Sequence, residues 1–298
     1  MFSCTYDNNC GYQEDRYIIS IPSKRKKDKE KDKEKDKDNE KDKEKDEIEK
    51  NNIILIGVFD GHGGNKISHY VSKNISKYFI EKNKYNTPSN TQKYCNYIKL
   101  VYKDITKNLL NNKYSMTQGS TSCLCILFKY KDVNYICTSW LGDSRAIARD
   151  DFGNVIELSR DHKPNDIKER ERIEKLGGKV TKMNGDVYRV NGSLAVSRSF
   201  GDFEEKEYIS AEPEINITEN KYTYIVVATD GLWDVMTNKQ VINYIDNEMK
   251  KGIEVPKKNN INNGIDKEDG INIAQKLVKL AVERGSTDNI TVIINFMK

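Results

Sequence analysis

The residues that could do chemistry in this chain are carboxylates and one histidine placed at the ends of apolar runs. The sharpest case is Ile53–Gly64, IILIGVFDGHGG, where a β-branched-rich run stops at Asp60 and glycines alternate around His62. The run is too short to span a bilayer and too apolar for a surface strand. It predicts a buried central strand with Asp60 at its carboxyl end. Gly61, Gly63 and Gly64 leave the backbone uncluttered, so a ligand can approach the carboxylate, a main-chain carbonyl and the imidazole together. That trio suits a hard divalent cation beside an acid–base group. Taken alone, the stretch reads equally well as a glycine-rich turn with a solvated aspartate.

Other carboxylates repeat the placement. Asp143 follows the run VNYICTSW and Leu141-Gly142, and Asp230 follows TYIVVAT (Thr223–Thr229). Glu14 and Asp15 precede RYIISI, and Asp288 precedes ITVIINF. In an antiparallel sheet the carboxyl end of one strand lies beside the amino end of the next, so all these groups can share one rim. Carboxylates so crowded cannot all stay ionised without cations. An oxygen-rich set with no thiolate and one histidine fits Mg²⁺ or Mn²⁺ better than Zn²⁺. Two such ions roughly 3.5–4 Å apart would lower the pKa of a shared water and make it a nucleophile for phosphoester attack. Each aspartate by itself is also ordinary turn chemistry, and only their agreement points to a site.

The elements that must hold these groups can be read from periodicity. FSCTY and RYIISI predict two strands. After Gly64, Ile67, Tyr70, Val71, Ile75, Tyr78 and Phe79 form one face of a helix; Tyr94, Ile98, Val101, Ile105 and Leu109 form the stripe of a second. Both should cover a sheet. SCLCILF (Ser122–Phe128) and VNYICTSW (Val133–Trp140) predict an antiparallel hairpin, with SRAIAR as a third strand. A charged helix is expected over Asp166–Leu176, stopped by Gly177-Gly178, and an irregular span over Lys179–Glu214. A short helix is expected after the DGLWD segment, and a longer one carries Ile273, Ala274, Leu277, Val278 and Ala281 on one face.

Two segments lack the means to pack. Lys24–Lys50 is almost pure Lys, Asp and Glu with no apolar residue before Ile48, and about Lys250–Gly270 is rich in Asn and Lys. Neither can bury enough surface to offset the entropy of ordering, so both read as insertions into one domain over 1–298. With 50 Lys+Arg against 46 Asp+Glu, no basic patch stands clear of acidic neighbours, which argues against a nucleic-acid partner. No apolar run spans a bilayer, the N-terminus lacks a signal-peptide pattern, and Phe2 excludes myristoylation. Six cysteines without a CxxC pair suggest reduced thiols in a cytoplasmic protein, with the nucleus also open.

In order along the chain stand QED (Gln13–Asp15), DGHGG (Asp60–Gly64), GSTS (Gly119–Ser122), GDSRA (Gly142–Ala146) and LSRDHKP (Leu158–Pro164). GSLAVSRSFGD (Gly192–Asp202), ATDGLWDV (Ala228–Val235) and GSTDNITV (Gly285–Val292) follow. Together they resemble the PP2C, or PPM, family of metal-dependent serine/threonine protein phosphatases. The resemblance implies an α+β fold: a β-sandwich of two antiparallel sheets flanked by α-helices on both outer faces, with the site at one edge. It implies Asp60 bridging two Mg²⁺ or Mn²⁺ ions, with the Gly61 carbonyl on one and Asp230 and Asp288 on the other. Glu14 and Asp15 resemble the pair that holds metal-bound waters, Asp143 the ligand of a third, weaker ion, and His62 the general acid. The region between Asp161 and Gly201 resembles the substrate-selecting flap. Phosphoprotein substrates and a monomer are expected. One departure stands out: the family's phosphate-gripping arginine, four residues before the motif glutamate, is Cys10 here. That leaves open a second reading, a weakly active or inactive phosphoprotein-binding regulator.

Overall fold

The structure is a computed structural model that describes residues 2–6, 12–21, 53–80, 91–112, 114, 116–251 and 272–297. Cys10, the charged insertion and most of the second insertion lie outside the described residues. The chain opens with strands β1 (Phe2–Tyr6), β2 (Arg16–Ser20) and β3 (Ile54–Phe59), then the two-residue β4 (Gly61–His62). Helices α1 (Lys66–Ile80) and α2 (Thr91–Asn111) precede β5 (Gly119–Ser120), β6 (Ser122–Tyr130), β7 (Val133–Leu141), β8 (Arg145–Asp150) and β9 (Val155–Glu157). Next come α3 (Ile167–Lys175), β10 (Val180–Lys182), β11 (Tyr188–Val190), β12 (Phe200–Gly201), β13 (Glu214–Glu219) and β14 (Tyr222–Ala228). The chain closes with α4 (Asp230–Trp233), α5 (Asn238–Lys250), α6 (Ile273–Glu283) and β15 (Ile290–Phe296).

Two five-stranded antiparallel sheets carry the fold, in the orders β1-β15-β14-β8-β9 and β13-β7-β6-β3-β2. The long apolar runs are explained by burial on both faces. Ile56 and Val58 of β3, Cys123 and Cys125 of β6, Ile225 and Val227 of β14 and Ile293 of β15 meet in the layer between the sheets. Their alternate neighbours point outward. Leu55, Phe59, Leu124, Ile126 and Phe128 pack under α1 and α2. Tyr224, Val226, Ala228, Val292 and Ile294 pack under α4, α5 and α6. A period of two with apolar residues in both phases is what a strand between two packed layers requires. The fold is therefore the expected sandwich with helices on both outer faces.

Three expectations need correction. β9 and β13 are strands that the sequence reading did not assign, β13 beginning at Glu214 where the expected irregular span ends. Both are short and half-buried, and β13 is an edge strand whose polar alternation, EINITE, hides its pairing with β7. Helix α4 begins at Asp230 itself rather than after Asp234, with Thr229 as its N-cap residue. Lys250 closes α5, so the expected start of the second insertion falls inside a helix.

The β6–β7 hairpin turns through Lys131 and Asp132, both at positive φ, the twist-compatible geometry for a two-residue loop. After β7 the chain leaves its sheet at Gly142 (φ +83°) and enters the other sheet as β8. A Cβ at Gly142 would lie 2.7 Å from Thr121 Cγ2, so this crossing needs glycine on two counts. Asp143 sits at the crossing.

Candidate active site

Strand register places the acidic groups together. Arg16 pairs with Phe59, so Glu14 and Asp15, just before β2, lie beside Asp60, just after β3. Ala228 pairs with Arg145 on one side and Val292 on the other, so Asp230 lies near both Asp143 and Asp288. Each sheet thus delivers its carboxylates to the same rim. Asp60, Asp143 and Asp230 each offer a carboxylate oxygen within 4.8 Å of the others. Asp143, expected at a third and weaker position, stands inside this close group. Asp288 stands outside it and accepts a hydrogen bond from the Asn289 main chain at 2.7 Å.

The second layer is built from hydroxyls. Asp15 is 2% exposed and accepts from Thr229 Oγ1 (2.9 Å) and Thr291 Oγ1 (2.8 Å), which belong to the opposite sheet. Thr229 Oγ1 also accepts from the Thr291 main chain, which is why it does not cap its own helix. Thr121 ties Asp60 to the crossing turn: its main chain donates to the Asp60 carbonyl (2.8 Å), its Oγ1 accepts from the Asp60 amide (3.1 Å), and its hydroxyl meets Ser144 Oγ at 2.7 Å. Glu14 is held through its backbone, its amide donating to Asn289 Oδ1 (2.8 Å) and its carbonyl accepting from Ser68 Oγ (2.5 Å). Gly61 is buried, and a Cβ there would meet the Glu14 carbonyl and Ser68 Oγ at 2.8 Å.

The electrostatics are those of buried, crowded carboxylates. Burial, only partly offset by the two threonines, pushes the Asp15 carboxyl up to about 7. Burial first, then the charges of Asp230, Asp15, Asp288 and Asp143, holds Asp60 well above the ordinary carboxyl range. Asp230 is raised in the same way, by burial and then by Asp143 and Asp288. Among the described residues, Asp15 Oδ1 and Asp230 Oδ1 are buried with no hydrogen-bond partner. Orphaned, oxygen-only donors beside crowded carboxylates fit hard divalent cations. Lys163 Nζ lies 2.5 Å from Asp143 Oδ2 and supplies one positive charge, too little for the set.

The segment around Lys163 clamps the crossing turn at three consecutive residues. Asp161 accepts from Arg145 Nε (2.8 Å) and Nη2 (2.6 Å), His162 Nδ1 accepts from the Gly142 amide (3.2 Å), and Lys163 pairs with Asp143. Beyond it, α3 and the β10–β11 hairpin form a small module with its own core of Ile173, Val180, Val190 and Ile209. Buried Glu169 fastens α3 to the following loop through Arg172, Arg198 and Ser197, which hold its carboxyl down to about 2 against the cost of burial.

His62 is placed by a three-stranded miniature sheet, β12-β5-β4. Its Nε2 lies 2.7 Å from Asp202 Oδ2. Burial would lower the His62 pKa, but the hydrogen bond to Asp202 and the charges of Asp202, Asp143 and Glu14 raise it overall. Asp202, Thr121, Thr229, Thr291 and Lys163 carry no metal-site signature in the sequence, and reasoning from strand ends missed their roles. All five nevertheless lie inside the ordered motifs. Arg16, the nearest arginine in sequence to the acidic pair, donates through Nη1 to the Gln13 and Asp15 carbonyls.

Comparison with known proteins agrees with this geometry. The protein phosphatase 2C family model matches residues 22–290. Probable protein phosphatase 2C 45 of Oryza sativa subsp. japonica is 35% identical over 247 residues, 82% of this chain and 77% of that protein. Probable protein phosphatase 2C 59 of Arabidopsis thaliana is 36% identical over 251 residues, covering 83% and 71%. In fold, the chain is similar to a serine-threonine phosphatase 2C from Toxoplasma gondii, with TM-score 0.70 and 21% identity over 99% of this chain and 94% of that one. A sex-determining protein of C. elegans gives TM-score 0.74 at 23% identity, covering 99% and 64%. The chain belongs to the protein phosphatase 2C family, a family of metal-dependent enzymes, and is a serine/threonine protein phosphatase acting on phosphoproteins. No described helix is long and apolar enough to cross a membrane.

Proposed function

We propose that this chain hydrolyses phosphoserine and phosphothreonine on proteins at a site for two divalent ions, Mg²⁺ or Mn²⁺, with a third position at Asp143. The observation that carries the reading is the convergence of Asp60, Asp143 and Asp230 within 4.8 Å, beside the orphaned oxygens of Asp15 and Asp230. Asp60 stands between the two sheets' contributions and is assigned the shared ligand. The Gly61 carbonyl, Asp230 and Asp288 are assigned as the further ligands that would hold the ions. Glu14 and Asp15 would hold water beside the bound ions. When bound, the ions would neutralise phosphate charge and lower the pKa of a nearby water.

The chain's own residues supply the rest. His62, at the edge of the group and 28% exposed at its side chain, holds a proton for the departing serine or threonine oxygen. The module from Asp161 to Gly201 borders the site through Lys163 and shapes access to it. We assign these parts to one domain over 1–298 acting as a monomer in the cytoplasm. The test is a metal-free preparation assayed on a phosphopeptide. Hydrolysis should vanish with a chelator and return with Mn²⁺ or Mg²⁺; full activity without metal would overturn the reading.

A further inference from the structure

We propose that Asp202 is the positioning residue for His62, forming an aspartate–histidine pair across Gly119 that aims the imidazole Nδ1 at the leaving oxygen. The inference rests on reading His62 as the general acid and adds to it a partner from a distant motif.

Three short segments build the pair. Gly61 pairs with Ser120 and His62 with Gly119, while Gly201 pairs with Gly119 from the other side. His62 and Asp202 are therefore brought to opposite flanks of one residue. That residue has no side chain, and none would fit. A Cβ on Gly119 would lie 2.1 Å from Asp202 Oδ2 and 2.2 Å from His62 Nε2. Gly119 is at negative φ, so glycine here answers to the space the pair occupies and not to backbone geometry.

Asp202 is held as a fixed support. Its amide donates to the Gln118 carbonyl at 2.9 Å, and its own carbonyl accepts from Glu205 at 2.9 Å. It adopts φ +47°, a conformation that aspartate tolerates better than most residues and that turns its side chain back over β5. The carboxylate, with Asp202 2% exposed, meets His62 Nε2 at 2.7 Å and accepts from the Ser199 hydroxyl. The Asp202 carboxylate oxygen beside Nε2 is an acceptor that fixes which ring nitrogen carries the inward-facing N–H. With Nε2–H donating to Asp202, the second proton of the imidazolium resides on Nδ1. In the bond-breaking step the P–O bond to the alkoxide breaks and that oxygen takes the Nδ1 proton. Neutral His62 then keeps its Nε2–H···Asp202 bond. The arrangement follows the general logic of a base oriented by a third group.

The test uses Asp202→Asn, His62→Gln and the double variant with Mn²⁺, on a phosphopeptide and on p-nitrophenyl phosphate, whose leaving group needs little protonation. General acid catalysis contributes on the order of 10²–10⁴-fold. Asp202→Asn should therefore lose roughly tenfold or more on the peptide relative to the aryl ester. In the His62→Gln background it should add no further selective loss. Unequal losses for His62→Gln with equal losses for Asp202→Asn would overturn the pair and leave the general acid in place. Equal losses for His62→Gln would instead overturn the general-acid reading on which the pair depends. Should Asp202→Asn fold poorly, Ser199→Ala keeps the carboxylate and removes its other partner; it should show a smaller loss of the same selective kind, and equal losses would count against the pair. A readout independent of turnover is the ¹⁵N spectrum of the three histidines. His62, identified by its disappearance in His62→Gln, should be the Nε2–H tautomer when neutral and shift toward Nδ1–H in Asp202→Asn; an unchanged tautomer would overturn the assignment.

Discussion

Removing metal should make this protein less stable as pH rises, a consequence of its crowded carboxylates. A carboxyl raised in the folded state binds protons better folded than unfolded. Its stabilising effect is complete below the unfolded pKa and is lost as pH climbs through the folded one. For Asp15 those limits are the ordinary 3.8 and about 7, and Asp60 and Asp230 shift in the same direction. From pH 5.5 to pH 7 the Asp15 carboxyl alone accounts for roughly 2 kcal/mol at about 1.4 kcal/mol per pH unit. That corresponds to about 4–8 °C in Tm for a domain of this size. Bound Mn²⁺ replaces the protons, so stabilisation by metal should grow with pH. The assay is differential scanning fluorimetry from pH 5.5 to 8, with saturating Mn²⁺ or with chelator. The Mn²⁺-minus-chelator difference cancels titrating groups whose surroundings the ion leaves unchanged. A difference that stays flat, or that shrinks as pH rises, would refute the claim that these carboxylates form one cation-requiring set.

Further outcomes follow from the same geometry. Asp230→Asn should depress hydrolysis severely and reduce the Mn²⁺-induced Tm shift, yet raise the Tm of the chelated protein at pH 7.5 by relieving repulsion with Asp143 and Asp288; a lower chelated Tm would contradict it. Ser20 pairs directly with Leu55, so a short Gly/Ser turn can replace Lys24–Lys50 with folding and kcat intact; loss of the cooperative melt would show that the segment packs on the domain. Cys10→Arg should raise kcat/KM and tighten inhibition by free phosphate, since a charged hydrogen bond contributes about 1.5–3 kcal/mol, roughly one to two powers of ten. No change in either would mean that another cation already binds the phosphate.

Much of this architecture was legible in one dimension because apolar periodicity and punctuation are local properties. The runs ending at Asp60 and Asp230 announced buried strands, and Ile273, Leu277 and Val278 announced a helix face. The antiparallel argument from strand ends drew Glu14, Asp15, Asp60, Asp143, Asp230 and Asp288 to one rim, and strand register sets the ends of those strands side by side. β9 and β13 escaped because short, half-buried edge strands need little apolar surface and take their conformation from a neighbour. Other features depended on contacts between segments far apart in sequence. Nothing local in Thr229 or Thr291 tells that both hydroxyls turn to Asp15, 214 and 276 residues away. Nor does Gly119 reveal that it is small because Asp202 and His62, 140 residues apart, meet beside it. Local patterning could name the carboxylates because each flanks one end of a strand. Their order of closeness, their hydroxyl supports and the partner of His62 were decided only when two sheets and a six-residue miniature sheet closed on one another.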